Sequence, residues 1–441
     1  MEFVSGVKQK ETISVLQLQQ AAEGQEVRIN GSLHTIRDMG DVKFLILRKS
    51  EGLVQCVVEP ASGVADVRVS EESCLEVTGT VHKEERAPGG VEVHLTEIKV
   101  LSEPSETLPI AISKWKMGAS LETKLNMRPI TLRNVRERAK FKIQEGIVRA
   151  FREFLYGEGF TEIRTPKIVS RGAEGGANIF KLDYFGQKAE LGQSPQFYKQ
   201  TMVGVYDRVF EVAPVFRAEK HNTTRHLNEY ISMDFEMGYI DGFQDVMGME
   251  TGFLKYMVEL LKRDYEKELK LLGVELPVIT EIPAVRFDLA KQLVSEKYNR
   301  TIRNPYDLEP EEEQLIGRYF KEEYGSDFVF VTHYPSKKRP FYAMDDPADD
   351  RFTLSFDLLY KGIEVTTGGQ RIHDYETLLK KIEKKGMSPE GMESYLMIFK
   401  YGMPPHGGLG IGLERLTMKL LDEVNVRETS LFPRDLSRLE P

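Results

Sequence analysis

Residues 404–416 read PPHGGLGIGLERL, and the way this stretch folds separates the common nucleotide-binding architectures from everything else. Its glycines do not match G-x-G-x-x-G at the right offsets, no strand and acidic residue follow in the Rossmann manner, and no GK[ST] occurs anywhere in the chain. Neither common nucleotide fold is therefore expected. What remains is a strand with Gly408, Gly410 and Gly412 on one face, followed by Glu414 and Arg415 at the start of an apolar helical pattern. Small residues on one face let a flat group lie against the backbone, and the helix start delivers the arginine beside it. That suits an adenine ring and a phosphate. Taken alone, the pattern reads better as a glycine-rich turn packing a helix onto a sheet.

The rest of the chain narrows the choice. With 441 residues, 41% of them hydrophobic, it can bury more than one core, and two or more domains are expected. The formal net charge of -9 argues against unspecific binding to nucleic acid through a basic surface, so any such partner must be read from local motifs. The start, MEFVSGVKQK, lacks the apolar run of a signal peptide. No segment reaches the roughly 20 apolar residues that span a bilayer, and a soluble, cytoplasmic protein is expected. Cys56 and Cys74 form no CxxC pair and have no histidine at zinc-like spacing, which makes them ordinary thiols.

Short apolar runs separated by Gly, Asp or Ser fill residues 24–104, among them EVRINGSLHTI, VKFLILRKS and LVQCVVE. Five strands without a long helix predict a small β-barrel of the OB type over 1–104. The stretch from Ser102 to Asn134 holds three prolines and little periodicity, which predicts a hinge over 105–135. Beyond it, Phe141, Ile143, Ile147, Phe151, Phe154 and Leu155 recur at helical spacing before Gly157 and Gly159. Strand-like runs then alternate with helices over 136–441. The expected fold class is α+β: a five-stranded OB barrel, then a mostly antiparallel sheet flanked by helices. Charged, loop-like composition over 240–350 suggests an inserted or peripheral part.

A second stretch, VFRAEKHNTTRHLNE at 215–229, crowds three cations and two histidines behind an apolar strand. The helix and strand ending at Pro166, the FRAE of Phe216–Glu219 and the GIGLER of 410–415 follow the order of the three signature motifs of class II aminoacyl-tRNA synthetases. With QSPQFYKQ, GGQR and YGMPPHGG, the chain resembles the archaeal-type aspartyl-tRNA synthetases over nearly its whole length. The resemblance implies that ATP and L-aspartate form aspartyl-adenylate, which is transferred to tRNA(Asp), with Mg2+ as cofactor and a homodimer as the assembly. Such chemistry is positioning and cationic stabilisation without a nucleophilic side chain, in keeping with the lack of a GxSxG or Cys/His signature.

The resemblance also implies roles. Arg217 would bridge the substrate carboxylate and the α-phosphate, with Arg415 and Glu364 completing the catalytic set. Ala218, Glu219, Leu227, Tyr230, Gly412, Leu413 and Glu414 would line the nucleotide, Glu219 meeting the adenine amino group and Tyr230 stacking on the ring. Arg225 and His226 would hold the outer phosphates, and Glu364 with Thr367 the magnesium. Lys199 and Arg371 would grip the aspartate side chain, Asp234 would orient Lys199, and Glu174 and Gln196 would receive the substrate ammonium. Two cations facing one carboxylate reject the isosteric amide, because asparagine would leave buried charge without an acceptor.

In the barrel, Arg37, Phe44 and Gln55 match the family's anticodon-binding face, where an aromatic stacks an unpaired base and polar side chains read its edge. His34 and Pro88 fall where members restricted to tRNA(Asp) carry other residues, and the pair resembles members that also charge tRNA(Asn). Histidine near this position also occurs in restricted members, so both tRNA ranges stay open. Two further readings compete: an aspartate-activating asparagine synthetase on the same core, and a non-catalytic RNA-binding paralogue. Such synthetases lack the anticodon domain, and degeneration would strike Arg217, Glu364 and Arg415 first.

Overall fold

The computed structural model describes residue 3 and residues 5–170, 172, 178–220 and 223–440. Contacts divide the chain into two compact units, 1–118 with 130–135, and 119–129 with 136–441. The segment read as a hinge is thus shared between them, and it contains two short helices, Leu121–Asn126 and Arg128–Thr131.

In the first unit, β1 (Glu26–Asp38), β2 (Lys43–Lys49), β3 (Gly52–Val58), β4 (Cys74–Lys83) and β5 (Val91–Ser102) close into a barrel in the order β1-β2-β3-β5-β4. Side chains alternate across each strand. One parity (Leu33, Leu45, Leu47, Val54, Cys56, Val93 and Leu95) fills the interior, and burial pushes the Cys56 thiol up to about 12. Register then places the other parity together outside. Arg37 pairs with Phe44, Ile46 with Gln55, Gln55 with Glu92, and Glu92 with His82.

The second unit contains β6 (Thr161–Glu162), β7 (Arg208–Phe216), β8 (Glu229–Gly238), β9 (Ala284–Arg286), β10 (Phe328–Thr332), β11 (Ser355–Tyr360), β12 (Ile363–Gln370) and β13 (His406–Gly412). They form one sheet in the order β9-β10-β11-β12-β13-β8-β7-β6. The five central pairings are antiparallel and the two outermost are parallel.

Helices α1 (Val135–Gly157) and α3 (Phe243–Asp264) pack on the back of this sheet, α2 (Gln196–Tyr206) and α4 (Pro310–Tyr324) flank it, and α5 (Leu413–Leu420) follows β13. The helical stripe read in the sequence is the one α1 buries: Ile143, Ile147, Phe151 and Leu155 are inaccessible to solvent. They meet Phe210, Phe235, Phe253 and Leu261, the Phe151 ring edge-on to Phe210 and Phe253.

Residues 240–350 are not peripheral. They supply α3 to the main core and β9 and β10 to the sheet. The charged composition belongs to the solvent faces of α3 and α4, whose inner faces carry Phe253, Leu254, Met257, Ile316 and Phe320. Counting charges misses such an amphipathic helix.

Candidate active site

The glycines of 404–416 do what the alternation requires. Across the sheet Ser232 pairs with Gly412, Asp234 with Gly410 and Glu236 with Gly408, so three polar residues of β8 lie beside three bare positions of β13 on one face. A Cβ on Gly408 would fall 2.1 Å from Glu236 Oε2, and one on Gly410 would fall 3.0 Å from Asp234 Oδ1. Leu409 and Ile411 point the other way into the core. Gly410 and Gly412 therefore form part of the floor of a cleft of about 830 Å³ lined by residues from Asn178 to Val426.

One end of the cleft is a closed polar pocket. Lys199 Nζ donates to Asp234 Oδ1 at 3.0 Å and to the Leu409 carbonyl at 2.8 Å, and lies 3.3 Å from Glu236 Oε2. Arg371 Nε donates to Glu236 Oε1 at 2.8 Å, and its Nη2 to the Gly408 carbonyl at 2.8 Å. All four charged side chains are almost fully buried. Burial works against the charge of Glu236, but Arg371 and Lys199 together hold its carboxyl below the usual range. Gln196 is also buried, and its Nε2 has no hydrogen-bond partner among the described residues. Glu174 lies outside the described residues.

The other end is cationic and more open. Arg217 lines the cleft with its guanidinium 5.9 Å from the Tyr230 ring centre. Behind it, Ala218 N–H donates to the Asn178 carbonyl at 3.0 Å, and Asn178 Nδ2 donates to Glu219 at 3.1 Å. Arg415 Nε donates to the Arg225 carbonyl at 3.1 Å and Nη1 to the Glu364 carbonyl at 3.1 Å, joining two elements at the start of α5.

Glu364 and Thr367 are three apart, and a regular strand would turn them to opposite faces. The register instead slips, Leu359 facing Glu364 and Leu358 facing Thr366, so Val365 is bulged out and both side chains reach the cleft. Thr367 Oγ1 donates to Glu364 Oε1 at 3.4 Å. Burial opposes the charge of Glu364, but Arg415, Arg225, Arg217 and Arg339 keep it below the usual range. Burial brings His226 down to about 4, with Arg415 adding to the effect, so its ring is neutral at pH 7.

Among the residues expected at the nucleotide, Arg217, Glu219, Arg225, His226, Leu227, Tyr230, Glu364, Gly412, Glu414 and Arg415 line this cleft. Ala218 and Leu413 do not: Ala218 gives its N–H to the Asn178 carbonyl, and the Leu413 side chain is packed in the main core. Leu227 packs with Met418 and Val426. Both Glu414 oxygens accept from Ile231 N–H, at 3.2 and 3.1 Å, and burial pushes this carboxyl up to about 8.

Four further charged residues belong to the site. Glu236 shares the face of Ser232 and Asp234, a signal present in the i, i+2, i+4 spacing of YISMDFEMG. Asp357 pairs with Thr367 across the sheet and binds Arg339 at 2.7 Å; burial raises its carboxyl to about 6. Arg339 itself lies 3.9 Å over the Tyr334 ring. Glu313 reaches Arg225 from α4.

On the barrel, register puts Arg37, Phe44 and Gln55 on the outer face, with Gln55 Nε2 donating to Glu92 Oε2 at 2.8 Å. His34 departs from that group. The β1 register slips between Leu33 and Thr35, and His34, 3% exposed, holds Arg48 Nη1 at 3.1 Å, which in turn pairs with Glu72. Pro88 opens a short 3-10 turn, Pro88–Gly90.

The chain that carries this glycine-floored strand, the arginine at the next helix start and the closed acidic-basic pocket beside them matches two family models. Residues 120–436 fit the tRNA synthetases class II (D, K and N), and residues 27–101 fit the OB-fold nucleic acid binding domain. The chain belongs to that class II family. It is 51% identical over 425 residues to the aspartate–tRNA(Asp/Asn) ligase of Deinococcus radiodurans, covering 95% of this chain and 96% of that one. The aspartate–tRNA(Asp/Asn) ligase of Thermus thermophilus is 48% identical, with 95% and 97% covered. The asparaginyl-tRNA synthetase of Pyrococcus horikoshii, solved with asparaginyl-adenylate, superposes with a TM-score of 0.91 at 33% identity, covering 98% of this chain and 100% of that one.

Proposed function

We propose that the chain activates L-aspartate with ATP and transfers it to the 3′ end of both tRNA(Asp) and tRNA(Asn). The observation that carries the amino acid is the buried pair Lys199 and Arg371, each already held in place by a carboxylate and a carbonyl. A substrate carboxylate meets two preoriented cations there. An amide would turn an NH2 group toward one of them, at the cost of a charge-assisted hydrogen bond worth about 1.5–3 kcal/mol. The relatives of joint tRNA(Asp/Asn) specificity support the tRNA range.

In this reading the substrate α-carboxylate approaches the α-phosphorus beside Arg217, whose fork contacts both anions and offsets the charge that develops as the bond to diphosphate breaks. Glu219, oriented by Asn178, accepts from the adenine amino group, and the ring lies over the glycine floor beside Tyr230. Arg225 and neutral His226 face the outer phosphates, and Arg415 the γ-phosphate. Gln196 and Glu174 receive the ammonium. Attack by the tRNA's terminal ribose hydroxyl on the mixed anhydride then releases AMP.

Glu364 Oε1 and Thr367 Oγ1 lie 3.4 Å apart, and no group of three His, Cys, Asp or Glu able to hold an ion occurs among the described residues. This fits a hard cation held by one or two protein oxygens and otherwise by phosphate and water. Glu364 and Thr367 would hold it, and once bound it would neutralise phosphate charge.

We infer likewise that 1–104 is the anticodon domain carrying Arg37, Phe44 and Gln55, 105–135 the connection and 136–441 the catalytic domain. His34 acts on tRNA range through Arg48 rather than by touching a base. Exposed Ile168, Val205 and Tyr206 near Pro166 support a homodimer through that face. No described helix is long and apolar enough to cross a membrane. Charging of tRNA(Asp) and tRNA(Asn) transcripts with aspartate tests the proposal. Both should be charged; failure with tRNA(Asn) alone removes the wider range, and failure with both removes the ligase reading.

A further inference from the structure

Helix α4 opens with an acidic run, Glu309 to Glu313 interrupted by Pro310, of the kind that normally sits in solvent near a helix N-terminus. Two of these acids turn inwards. Glu312 closes the cap, accepting from the Glu309 N–H at 2.7 Å and from Lys291 Nζ at 2.5 Å. Glu313 crosses to the cleft. Both its oxygens accept from Arg225 Nη2, at 3.0 and 2.9 Å, and Oε2 also accepts the backbone N–H of Glu364 at 3.2 Å.

The base on which Glu313 stands is rigid. A Cβ on Gly317 would fall 2.6 Å from the Gly362 nitrogen, and one on Gly362 would fall 2.8 Å from the Gln314 Cα. Helix α4 is therefore pressed backbone to backbone against the β11–β12 turn, and the Glu313 carboxylate cannot follow Arg225 far if the arginine moves. Arg225, for its part, is only partly engaged. Its Nη2 is held, while its buried Nε has no hydrogen-bond partner among the described residues, and the side chain lines the cleft. Holding one terminal nitrogen sets the plane of a guanidinium and leaves the Nε and Nη1 protons for another acceptor.

We propose that Glu313 is a positioning residue for the outer phosphates of ATP, clamping Arg225 by one nitrogen so that its remaining donors face the polyphosphate. The inference rests on the reading of Arg225 as a phosphate contact. The clamp works from two sides. It spares Arg225 the entropy of being ordered when ATP enters. Through the Glu364 N–H it also ties the same helix to the strand carrying Glu364 and Thr367. AMP, which lacks the outer phosphates, should be indifferent to it.

The test uses the full chain and aspartate-dependent ATP–diphosphate exchange, with Glu313→Gln, Glu313→Ala, Arg225→Ala and the Glu313→Ala/Arg225→Ala double variant. Glu313→Gln keeps the shape and one acceptor but loses the charge. It should raise the KM for ATP about tenfold, with the KM for aspartate, inhibition by AMP and the melting temperature nearly unchanged. Glu313→Ala should do more, and should add nothing once Arg225 is alanine. A Glu313→Gln variant with unchanged KM for ATP, or one weakened equally toward ATP, AMP and aspartate, would overturn the clamp. Unchanged ATP binding in Arg225→Ala would instead remove the phosphate role of Arg225 itself.

Discussion

The two ends of the cleft are built from the same kinds of side chain and held differently. At the amino-acid end Lys199 and Arg371 face Asp234 and Glu236, all four almost fully buried, and each cation is fixed by a carboxylate and a backbone carbonyl. At the phosphate end Arg225 and Arg415 keep 14% and 21% of their side chains exposed; Arg225 is held by the Glu313 carboxylate through one nitrogen, and Arg415 by two backbone carbonyls with a longer 3.4 Å contact to the Glu364 carboxylate. A charge-balanced, desolvated pocket punishes any substrate that leaves a group unpaired, which suits selection. A cationic surface with donors to spare can follow a group whose charge grows during reaction, which suits catalysis.

The contrast can be broken most forcefully at Arg217. Replacement by alanine should lower the exchange rate by about 10²–10³-fold, with a smaller rise in aspartate KM, because the contact with the substrate carboxylate strengthens as the reaction proceeds. Steady-state exchange kinetics check this. The closed end should fail in the opposite way. Lys199→Met leaves Asp234 and Glu236 buried with half their counter-charge, and should raise the KM for aspartate by about 10²-fold and lower the melting temperature; breaking such a buried pair costs about 3–5 kcal/mol.

Two measurements outside the cleft sharpen the comparison as controls. Phe44→Ala should raise the KM for tRNA by about fivefold to a hundredfold, on a stacking energy of about 1–3 kcal/mol per base. Exchange without tRNA should be untouched. Glu250 lies behind the sheet, fully buried, where it accepts from Thr366 Oγ1 at 2.5 Å and burial pushes it up to about 8. Its folded value lies above the unfolded carboxyl value of about 4.3. Its contribution is therefore fully present below that pH and is lost as pH rises toward 8. Glu250→Gln should match the parent near pH 4 and exceed it by about 4–5 kcal/mol at pH 8 in denaturant unfolding, with exchange activity unchanged.

Where periodicity carries the information, the sequence is readable. The stripe of α1, the barrel strands and the alternation of Gly408, Gly410 and Gly412 each follow from a fixed repeat, and the family motifs lie on those elements. Ser232, Asp234 and Glu236 obey the same rule, so Glu236 is legible in that alternation, whereas the resemblance implies a role for Asp234 alone. Other features escape because the repeat is interrupted or disguised. The bulge at Val365 is what brings Glu364 and Thr367 to one face, and the bulge beside Leu33 is what turns His34 onto Arg48. Glu313 hides in an acidic run that looks solvated, and the core faces of α3 and α4 hide in a charged stretch.

The central claim is that a charge-paired pocket selects aspartate. ATP–diphosphate exchange driven by aspartate and by asparagine, on the same preparation, tests it most directly. Aspartate should support exchange at least about a hundredfold better in kcat/KM, the loss of one to two charge-assisted hydrogen bonds. Equal exchange with both amino acids, or exchange driven by asparagine, would contradict it.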